Sequence, residues 1–435
     1  MKKSGFSKLN KNEKIEWVLN NYFLDDKKSE EILRKYILDD FELQKIHDDF
    51  SENTISNFLL PLGISPNFKI DGRDYTIPMA TEESSVVAAA SKAAKYWYKR
   101  GGFKTKVIST KKTGQVHFKF DGKTEKLIKF FKKNKKKFID DCEKITVNMN
   151  KRGGGISSLT IIDKTDLIKD YYQLHAEFET VDSMGANFIN SCLEQFAKTL
   201  RDKFFNDNLM NKNSLKIIMS ILSNYVPDCK VIAEVECSIE NLSDKEIVDS
   251  KEFANNFKNA VEIAEKDISR AVTHNKGIMN GVDAVVMATG NDFRAVEASI
   301  HAYASSGGNY KSLTHVKIDH NKFKYWIEIP VPVGTVGGLT NLHPLAKWSL
   351  KLLGKPKAKD LMRIIAVSGL AQNFAAIKSL ITTGIQKGHM KMHLSNILSS
   401  LNASESERSE LINFFNKNIV SYSLVKQKID EIRNG

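Results

Sequence analysis

Four ionisable residues stand in or beside short polar clusters whose composition does not suit a protein core. The densest cluster runs from Thr273 to Val282 and sets a lysine between an asparagine and a glycine, which presents one ammonium group to an anion. A lysine, two carboxylates and a histidine suffice for proton-coupled chemistry at a carbonyl. The candidate catalytic residues are one of the adjacent Glu82 and Glu83, together with Lys276, Asp292 and His389.

These residues also have structural interpretations. Lys276 could be an exposed lysine in a loop, and Asp292 could cap a helix that begins at Phe293. His389 lies four residues before His393, the spacing of zinc-binding helices, but a methionine occupies the position of the glutamate in those motifs. We therefore expect no metal.

The composition indicates a soluble, multidomain protein. The 435 residues suggest two or three domains, and 41% hydrophobic and 27% charged residues are ordinary for a globular chain. We find neither a long uncharged apolar run nor a signal-type N-terminus, so we expect a cytoplasmic protein without membrane contact. The four cysteines form no CxxC pair, which predicts reduced, structural thiols.

The formal net charge of +13 allows a competing hypothesis, a nucleic-acid-binding protein. The densest lysine run lies within 130–138, where aromatic residues share a helical spacing with the lysines. No nucleic-acid motif accompanies this run. We therefore interpret it as the solvated face of a helix and expect no nucleic-acid partner.

The spacing of apolar residues predicts the elements that position the candidate residues. Residues 1–60 form a helical lead-in, and 81–100 form a helix so rich in small residues that we expect it to be central and buried, with Thr81 as its N-cap. The segment 104–215 alternates strands and helices and forms an inserted α+β unit. Within it we expect a hairpin at Thr113-Gly114 and a strand at 145–149.

Seven motifs in this sequence resemble those of 3-hydroxy-3-methylglutaryl-CoA (HMG-CoA) reductases of the soluble bacterial type, class II. They occur in family order and span nearly three quarters of the chain. They are 78–83, 182–187, 274–281, 290–292, 334–340, 369–373 and 387–390.

The resemblance implies an α+β fold: a large, mostly helical substrate-binding domain with a central buried helix, an inserted ferredoxin-like dinucleotide-binding domain, and a C-terminal helical flap. The expected boundaries are 1–103 and 216–375 for the two parts of the large domain, 104–215 for the insertion and 376–435 for the flap.

It also implies the reaction, in which HMG-CoA and mevalonate plus CoA are interconverted in either direction by two hydride transfers with NAD(P)H. A homodimer with the active site at the subunit interface is expected, and dimers could assemble further. A related acyl-CoA reductase is the alternative, although Arg270 favours an acyl chain that bears a carboxylate.

By the same resemblance, Lys276 stabilises the anionic carbonyl oxygen and Asp292 lies beside it. Glu83 protonates the aldehyde oxygen, and His389 protonates the departing CoA thiolate. The implied substrate contacts are Ser85, Asn224, Arg270, Asn280 and Gln372.

The implied cofactor contacts are Asp182, Met184, Gly185 and Asn187, which precede or begin a helix without the Rossmann glycine pattern. NADH-selective relatives carry an aspartate shortly after a triple glycine. Here no acidic residue follows Gly155 before Asp163, while Lys151 and Arg152 lie just upstream. We therefore predict a preference for NADPH, with NADH possible and CoA as co-substrate.

Overall fold

The structure is a computed structural model that describes residues 3–24, 26–207, 210–382, 384, 394–415, 418 and 420–434. Its strands are β1 (Leu62–Ile70), β2 (Arg73–Ala80), β3 (Lys104–Val107), β4 (Lys112–Phe120), β5 (Gly155–Asp163), β6 (Tyr171–Glu179), β7 (Leu215–Leu222), β8 (Lys230–Ser238), β9 (Thr314–Asp319) and β10 (Lys322–Pro330).

The first helices are α1 (Lys11–Tyr22), α2 (Lys27–Lys35), α3 (Phe41–Asp48), α4 (Val86–Tyr98), α5 (Thr124–Asp141), α6 (Glu143–Lys151) and α7 (Ala186–Phe205). They are followed by α8 (Ser250–Lys266), α9 (Ile268–Ala288), α10 (Phe293–Ala304), α11 (Leu339–Leu342), α12 (Pro344–Leu352), α13 (Ala358–Ile381), α14 (Glu405–Phe415) and α15 (Tyr422–Asn434). Residues 394–400 are also helical.

The helical lead-in is confirmed, and each of its helices begins at a polar residue. Asn10, Asp26 and Asp40 accept hydrogen bonds from backbone N–H groups in the first turns of α1, α2 and α3. Such side chains satisfy donors that have no partner within the helix.

The larger core combines helices with a four-stranded antiparallel sheet of order β3-β8-β10-β9. Among the described helices α13 is the most extensively buried, and α4 and α9 pack against it. Helices α9 and α13 cross closely because each carries a glycine at the contact: a Cβ on Gly281 would lie 2.4 Å from the Ser368 carbonyl oxygen, and one on Gly369 would lie 2.8 Å from Val282. Helix α4, which the sequence predicts to be central and buried, packs against α13 and buries Ala90, Ala94 and Trp97, but α13 is the more extensively buried of the two.

One described helix, α13, is long and apolar enough to cross a membrane by length and composition alone. Its most apolar window is 72% buried inside the protein. A core helix of a soluble protein has the same two properties.

The second sheet has the order β5-β6-β4-β7 and is antiparallel throughout. The sequence β-α-β-β-α-β with this strand order is the ferredoxin-like arrangement. Alternate residues of β4 and β6 pack with α5 and α7 in one hydrophobic cluster. Helix α5 buries its aromatic residues there, and the lysines of 132–137 lie outside that cluster, as the interpretation of a solvated face requires. This sheet runs from Lys112 to Leu222, later at both ends than the expected insertion. It starts later because β3 pairs with β8 in the other sheet, and it ends later because β7 pairs with β4.

Two predictions inside this unit were wrong. Residues Thr113 and Gly114 lie within strand β4 and form no hairpin, because Gly114 serves helix packing: a Cβ there would lie 2.5 Å from Leu193. Residues 145–149 lie in helix α6 although they are rich in β-branched side chains. The helix directs Thr146 and Met149 inward, so packing overrides local preference.

The predicted start of the 81–100 helix was also wrong. Helix α4 begins at Val86, and its N-cap, Ser85, has a left-handed backbone with φ of 75° and no side-chain capping bond. Thr81 instead accepts a hydrogen bond from the Glu83 N–H at 3.2 Å. Glu83 therefore lies in a turn before the helix and not in its first turn.

The C-terminal residues from Leu394 onward form a hydrophobic cluster of their own, which unites residues of 394–403 with α14 and α15. Every cysteine in the chain is free, and Cys142, Cys192 and Cys229 are buried. Burial raises the pKa of the Cys229 thiol to about 11, so it is neutral near pH 7.

Candidate active site

Two clefts contain most of the candidate residues. The first, here called the helix cleft, has a volume of about 400 Å³ and lies between the 83–89 segment, α9 and α13. The second, here called the loop cleft, has a volume of about 790 Å³ and lies between the start of α7 and the 334–340 loop. Both are large enough for part of a substrate or cofactor.

A lysine–carboxylate pair lies in the helix cleft. Lys276 Nζ is 2.6 Å from Glu83 Oε2, and the two side chains remain 61% and 38% exposed. Lys276 projects from helix α9, so its interpretation as a loop lysine is wrong. The turn before α4 brings Glu83 to it across the cleft.

Four predicted substrate contacts share this cleft with the pair. Arg270, Lys276 and Asn280 lie on α9, and Lys276 and Asn280 are four residues apart and so share a face of this helix. Burial lowers the pKa of the Arg270 guanidinium, which nonetheless stays charged at neutral pH. Among the described residues that line this cleft, two have a buried side-chain oxygen with no hydrogen-bond partner: Ser85 Oγ and Gln372 Oε1. These unsatisfied groups can bind a polar ligand.

A buried polar network that the sequence analysis missed supports the helix cleft. His274 Nε2 lies 2.5 Å from Thr314 Oγ1, and the Asn373 side-chain amide donates to the His274 carbonyl oxygen at 3.1 Å. Tyr325 donates its hydroxyl hydrogen to Asn373 Oδ1. These bonds join α9 to α13 and β10 on the buried side of α9, two residues before Lys276. A histidine two residues before the lysine was the only sequence signal for it.

Burial, with a smaller contribution from Arg270, lowers the pKa of His274 to about 3. The ring is therefore neutral near pH 7 and cannot supply a charge to the cleft. Its position beneath Lys276 indicates a supporting role rather than proton transfer.

The loop cleft contains three of the four predicted cofactor contacts, Met184, Gly185 and Asn187, together with Arg152. Helix α7 begins there at Ala186 without a side-chain cap, so its first N–H groups are available to an anion. Asp182, the fourth predicted contact, accepts a hydrogen bond from the Ala358 N–H at 2.8 Å. The structure thus gives its carboxylate a contact with the start of α13 and not a position in the cleft.

Asp292 lines the loop cleft and caps α10 through hydrogen bonds from the N–H groups of Arg294 and Ala295 at 3.1 and 3.2 Å. Both interpretations of Asp292 are thus compatible, but within one chain its carboxylate and Lys276 line different clefts. The structure therefore does not show the expected contact between them in a single chain.

Two predicted residues remain. Asn224 is exposed after β7 and is not among the residues that line either cleft in the described part of the chain. His389, with His393, lies outside the described residues.

A lysine–carboxylate pair and an arginine lie in one cleft, and a helix start with free N–H groups lies in the other, an arrangement that suits an enzyme with anionic ligands. A family model, hydroxymethylglutaryl-coenzyme A reductase, matches residues 11–394. The chain belongs to this family of oxidoreductases.

Relatives and solved structures agree with this assignment. The 3-hydroxy-3-methylglutaryl-coenzyme A reductase of Archaeoglobus fulgidus is 38% identical over 81% of this chain and 77% of its own. The class II enzyme of Streptococcus pneumoniae, bound to NADPH in open conformations, superposes with a TM-score of 0.72 at 34% identity over 88% of this chain and all of that one. A further structure of the Streptococcus pneumoniae reductase has a TM-score of 0.73 at 32% identity over 99% of this chain and all of that one.

Proposed function

We propose that this protein interconverts HMG-CoA and mevalonate plus CoA by two successive hydride transfers, and that the helix cleft holds the hydroxymethylglutaryl group. The observation that carries this proposal is the pairing of Lys276 with Glu83 in the cleft that also contains Arg270. An arginine there can grip the free carboxylate of the acyl group in two parallel hydrogen bonds.

Lys276 would stabilise the oxygen that becomes anionic when hydride adds to the thioester carbonyl. This charge develops in the transition state, so a fixed ammonium group there accelerates the reaction more than it tightens substrate binding. The buried network beneath α9 supports this role because it holds the helix that carries the lysine.

Glu83 would supply the proton to the oxygen of the aldehyde in the second reduction. Its contact with Lys276 Nζ puts it within reach of the same oxygen. His389 would protonate the thiolate of CoA as it leaves. In the overall reaction two hydrides and two protons convert the thioester to the alcohol and free CoA.

We further propose that the complete site forms between two copies of the chain. Lys276 is largely exposed in one chain and Asp292 lies in the other cleft, so a second subunit could bring the carboxylate to the ammonium group. Exposed apolar residues near the loop cleft and before β1 support such an interface. They are Phe58, Leu59, Leu60, Phe293, Leu342, Leu345 and Trp348.

The loop cleft would take the nicotinamide cofactor, with its phosphates at the start of α7 and backbone approach at Gly185. Arg152 lines the same cleft and could pair with a 2′-phosphate, which favours NADPH. We also propose a soluble, cytoplasmic enzyme, as the resemblance to soluble bacterial reductases implies. Helix α13, the one described helix apolar enough to cross a membrane, is largely buried inside the protein.

A steady-state assay tests the proposed function. Oxidation of NADPH, followed at the nicotinamide absorbance, should depend on HMG-CoA and release free CoA, and the reverse reaction should require both mevalonate and CoA. Reduction of a simple alkyl acyl-CoA at an equal rate, or no turnover of HMG-CoA in either direction, would contradict the proposal.

A further inference from the structure

A buried lysine lies next to the loop cleft. Lys112 is the first residue of β4 and only 5% exposed. Burial lowers the pKa of its ammonium group, and the opposing influences of Cys229 and Glu179 are smaller. Both oxygens of Glu179 accept hydrogen bonds from elsewhere, from the Thr110 hydroxyl and the Val181 N–H. A lysine in this environment is costly to bury, so its contacts indicate what it does.

The contacts of Lys112 are in the turn that leads to α7. Its Nζ donates to Thr180 Oγ1 at 2.6 Å and to the Ser183 carbonyl oxygen at 3.2 Å. Thr180 Oγ1 donates to the same carbonyl at 2.7 Å, and Ser183 Oγ donates back to the Thr180 carbonyl at 3.0 Å. The ammonium group therefore closes a compact set of bonds across residues 180–183.

This turn has little freedom to relax into another shape. Val181 adopts a left-handed backbone with φ of 54°, which costs free energy for a β-branched residue. On the far side, a Cβ on Gly334 would lie 2.4 Å from the Met184 nitrogen, and the Thr335 N–H donates to the Asp182 carbonyl at 2.7 Å. The turn thus lies between Lys112 and the 334–336 segment, and it ends where the residues that line the loop cleft begin.

We propose that Lys112 is a positioning residue of the cofactor site, whose buried ammonium group holds the 180–183 turn so that the start of α7 can receive the dinucleotide. This inference rests on the proposed function of the loop cleft. Lys112 acts through Thr180 and Ser183 and does not touch the cofactor itself.

The test is Lys112→Met in the full-length protein, with Lys111→Met as the matched control. Methionine has a similar length but neither charge nor donor. Lys111 is the adjacent residue, is exposed and pairs with Glu177, so both variants lose one positive charge. Dissociation constants for NADPH are measured by fluorescence titration, and KM values for NADPH and HMG-CoA by steady-state kinetics.

Lys112→Met should raise the Kd and KM for NADPH about tenfold, the effect of leaving one buried acceptor without its charged donor. The KM for HMG-CoA should stay within about twofold, and Lys111→Met should change none of these constants by more than that. Replacing an unpaired buried charge with an apolar group of similar size need not destabilise the fold. Thr180→Val, which removes only the hydroxyl, provides a second variant with an effect in the same direction.

Three outcomes overturn the inference. If the wild-type protein binds NADPH and both Lys112→Met and Thr180→Val bind it equally well, the inference alone fails. The same conclusion follows if the KM values for NADPH and HMG-CoA rise together. If the wild-type protein does not bind NADPH, the proposed function fails and the inference with it.

Discussion

The helix cleft and the loop cleft are built in different ways. In the helix cleft, charged side chains project from α9 and from a short turn, and they rest on a fully buried network that includes His274, Asn373 and Tyr325. In the loop cleft, turns and an uncapped helix start present backbone groups, and the nearest buried support is Lys112. Groups that must stabilise a developing charge are carried on a rigid helix, whereas a long cofactor can be bound largely by backbone.

The largest expected effect is on kcat when Lys276 is replaced, and comparison with an ordinary exposed lysine distinguishes a catalytic role from a loss of surface charge. Lys276→Ala should lower kcat by about 10² to 10³, because an oxyanion would lose its stabilising cation. The control is Lys258→Ala, which removes a similar exposed lysine–glutamate pair on α8. Steady-state rates with HMG-CoA and NADPH measure both. A change of only a few-fold for Lys276→Ala would remove this lysine from the mechanism.

A second substitution examines the loop cleft. Arg152→Ala should reduce the ratio of kcat/KM for NADPH to that for NADH by about tenfold, because a 2′-phosphate would lose its partner. Lys151→Ala is the matched control, since Lys151 is exposed but does not line the cleft. If the wild-type enzyme prefers NADH tenfold or more, about 1.4 kcal/mol in the barrier, the predicted preference is wrong.

A third substitution tests the support beneath the helix cleft. Tyr325→Phe removes the hydroxyl group that donates a hydrogen bond to Asn373 Oδ1. This buried oxygen then loses a hydrogen-bond donor. We expect a loss of about 1 to 3 kcal/mol in unfolding free energy and a lower kcat with little change in the KM for NADPH. Tyr98→Phe, at an exposed tyrosine that bonds to Asp74, is the control and should change neither. An unchanged kcat for Tyr325→Phe would confine the network to stability.

The smallest expected effect is a pH dependence of stability that arises from Asp283, near the end of α9. Burial and the adjacent Glu297 raise the pKa of Asp283 to about 8. Between the usual carboxyl pKa and this value, the folded protein holds a proton that the unfolded chain releases, so stability should fall as pH rises from 5 to 8. Asp283→Asn should make the loss of unfolding free energy between pH 5 and pH 8 smaller by about 1 kcal/mol, after allowance for solvent screening. Thermal unfolding midpoints at both pH values measure it, and parallel pH profiles for variant and wild type would contradict it.

Sequence reasoning was most successful where residue type determines the chemistry. The resemblance implied one active site that contains Lys276, Glu83 and Arg270, and the structure brings all three into one cleft. The predicted neighbour of Lys276, Asp292, lines the other cleft instead. The inserted α+β unit followed from its alternating strands and helices, and its ferredoxin-like arrangement followed from the resemblance.

The failures arose where tertiary contacts decide the local structure. Gly114 looks like a turn residue but makes room for Leu193, and the β-branched residues of 145–149 become helical because α6 packs inward. Thr81 looks like the N-cap of a helix, but its hydroxyl oxygen accepts a hydrogen bond from the Glu83 N–H in the turn that precedes the helix. The Asp182 side chain accepts a hydrogen bond from the Ala358 N–H and so joins the 180–183 turn to α13. The two residues are 176 positions apart in the sequence, so no local pattern could indicate this contact.

The central claim is that Lys276 and Asp292 meet only across two subunits, and mixing of inactive variants tests it most directly. The variants are Lys276→Ala and Asp292→Asn, the latter chosen because asparagine still caps α10. After subunit exchange, half of the dimers should be mixed and each should hold one intact site, so activity should recover to about a quarter of the wild-type value. Activity that stays at the level of the separate variants, although mixed dimers form, would contradict a shared site.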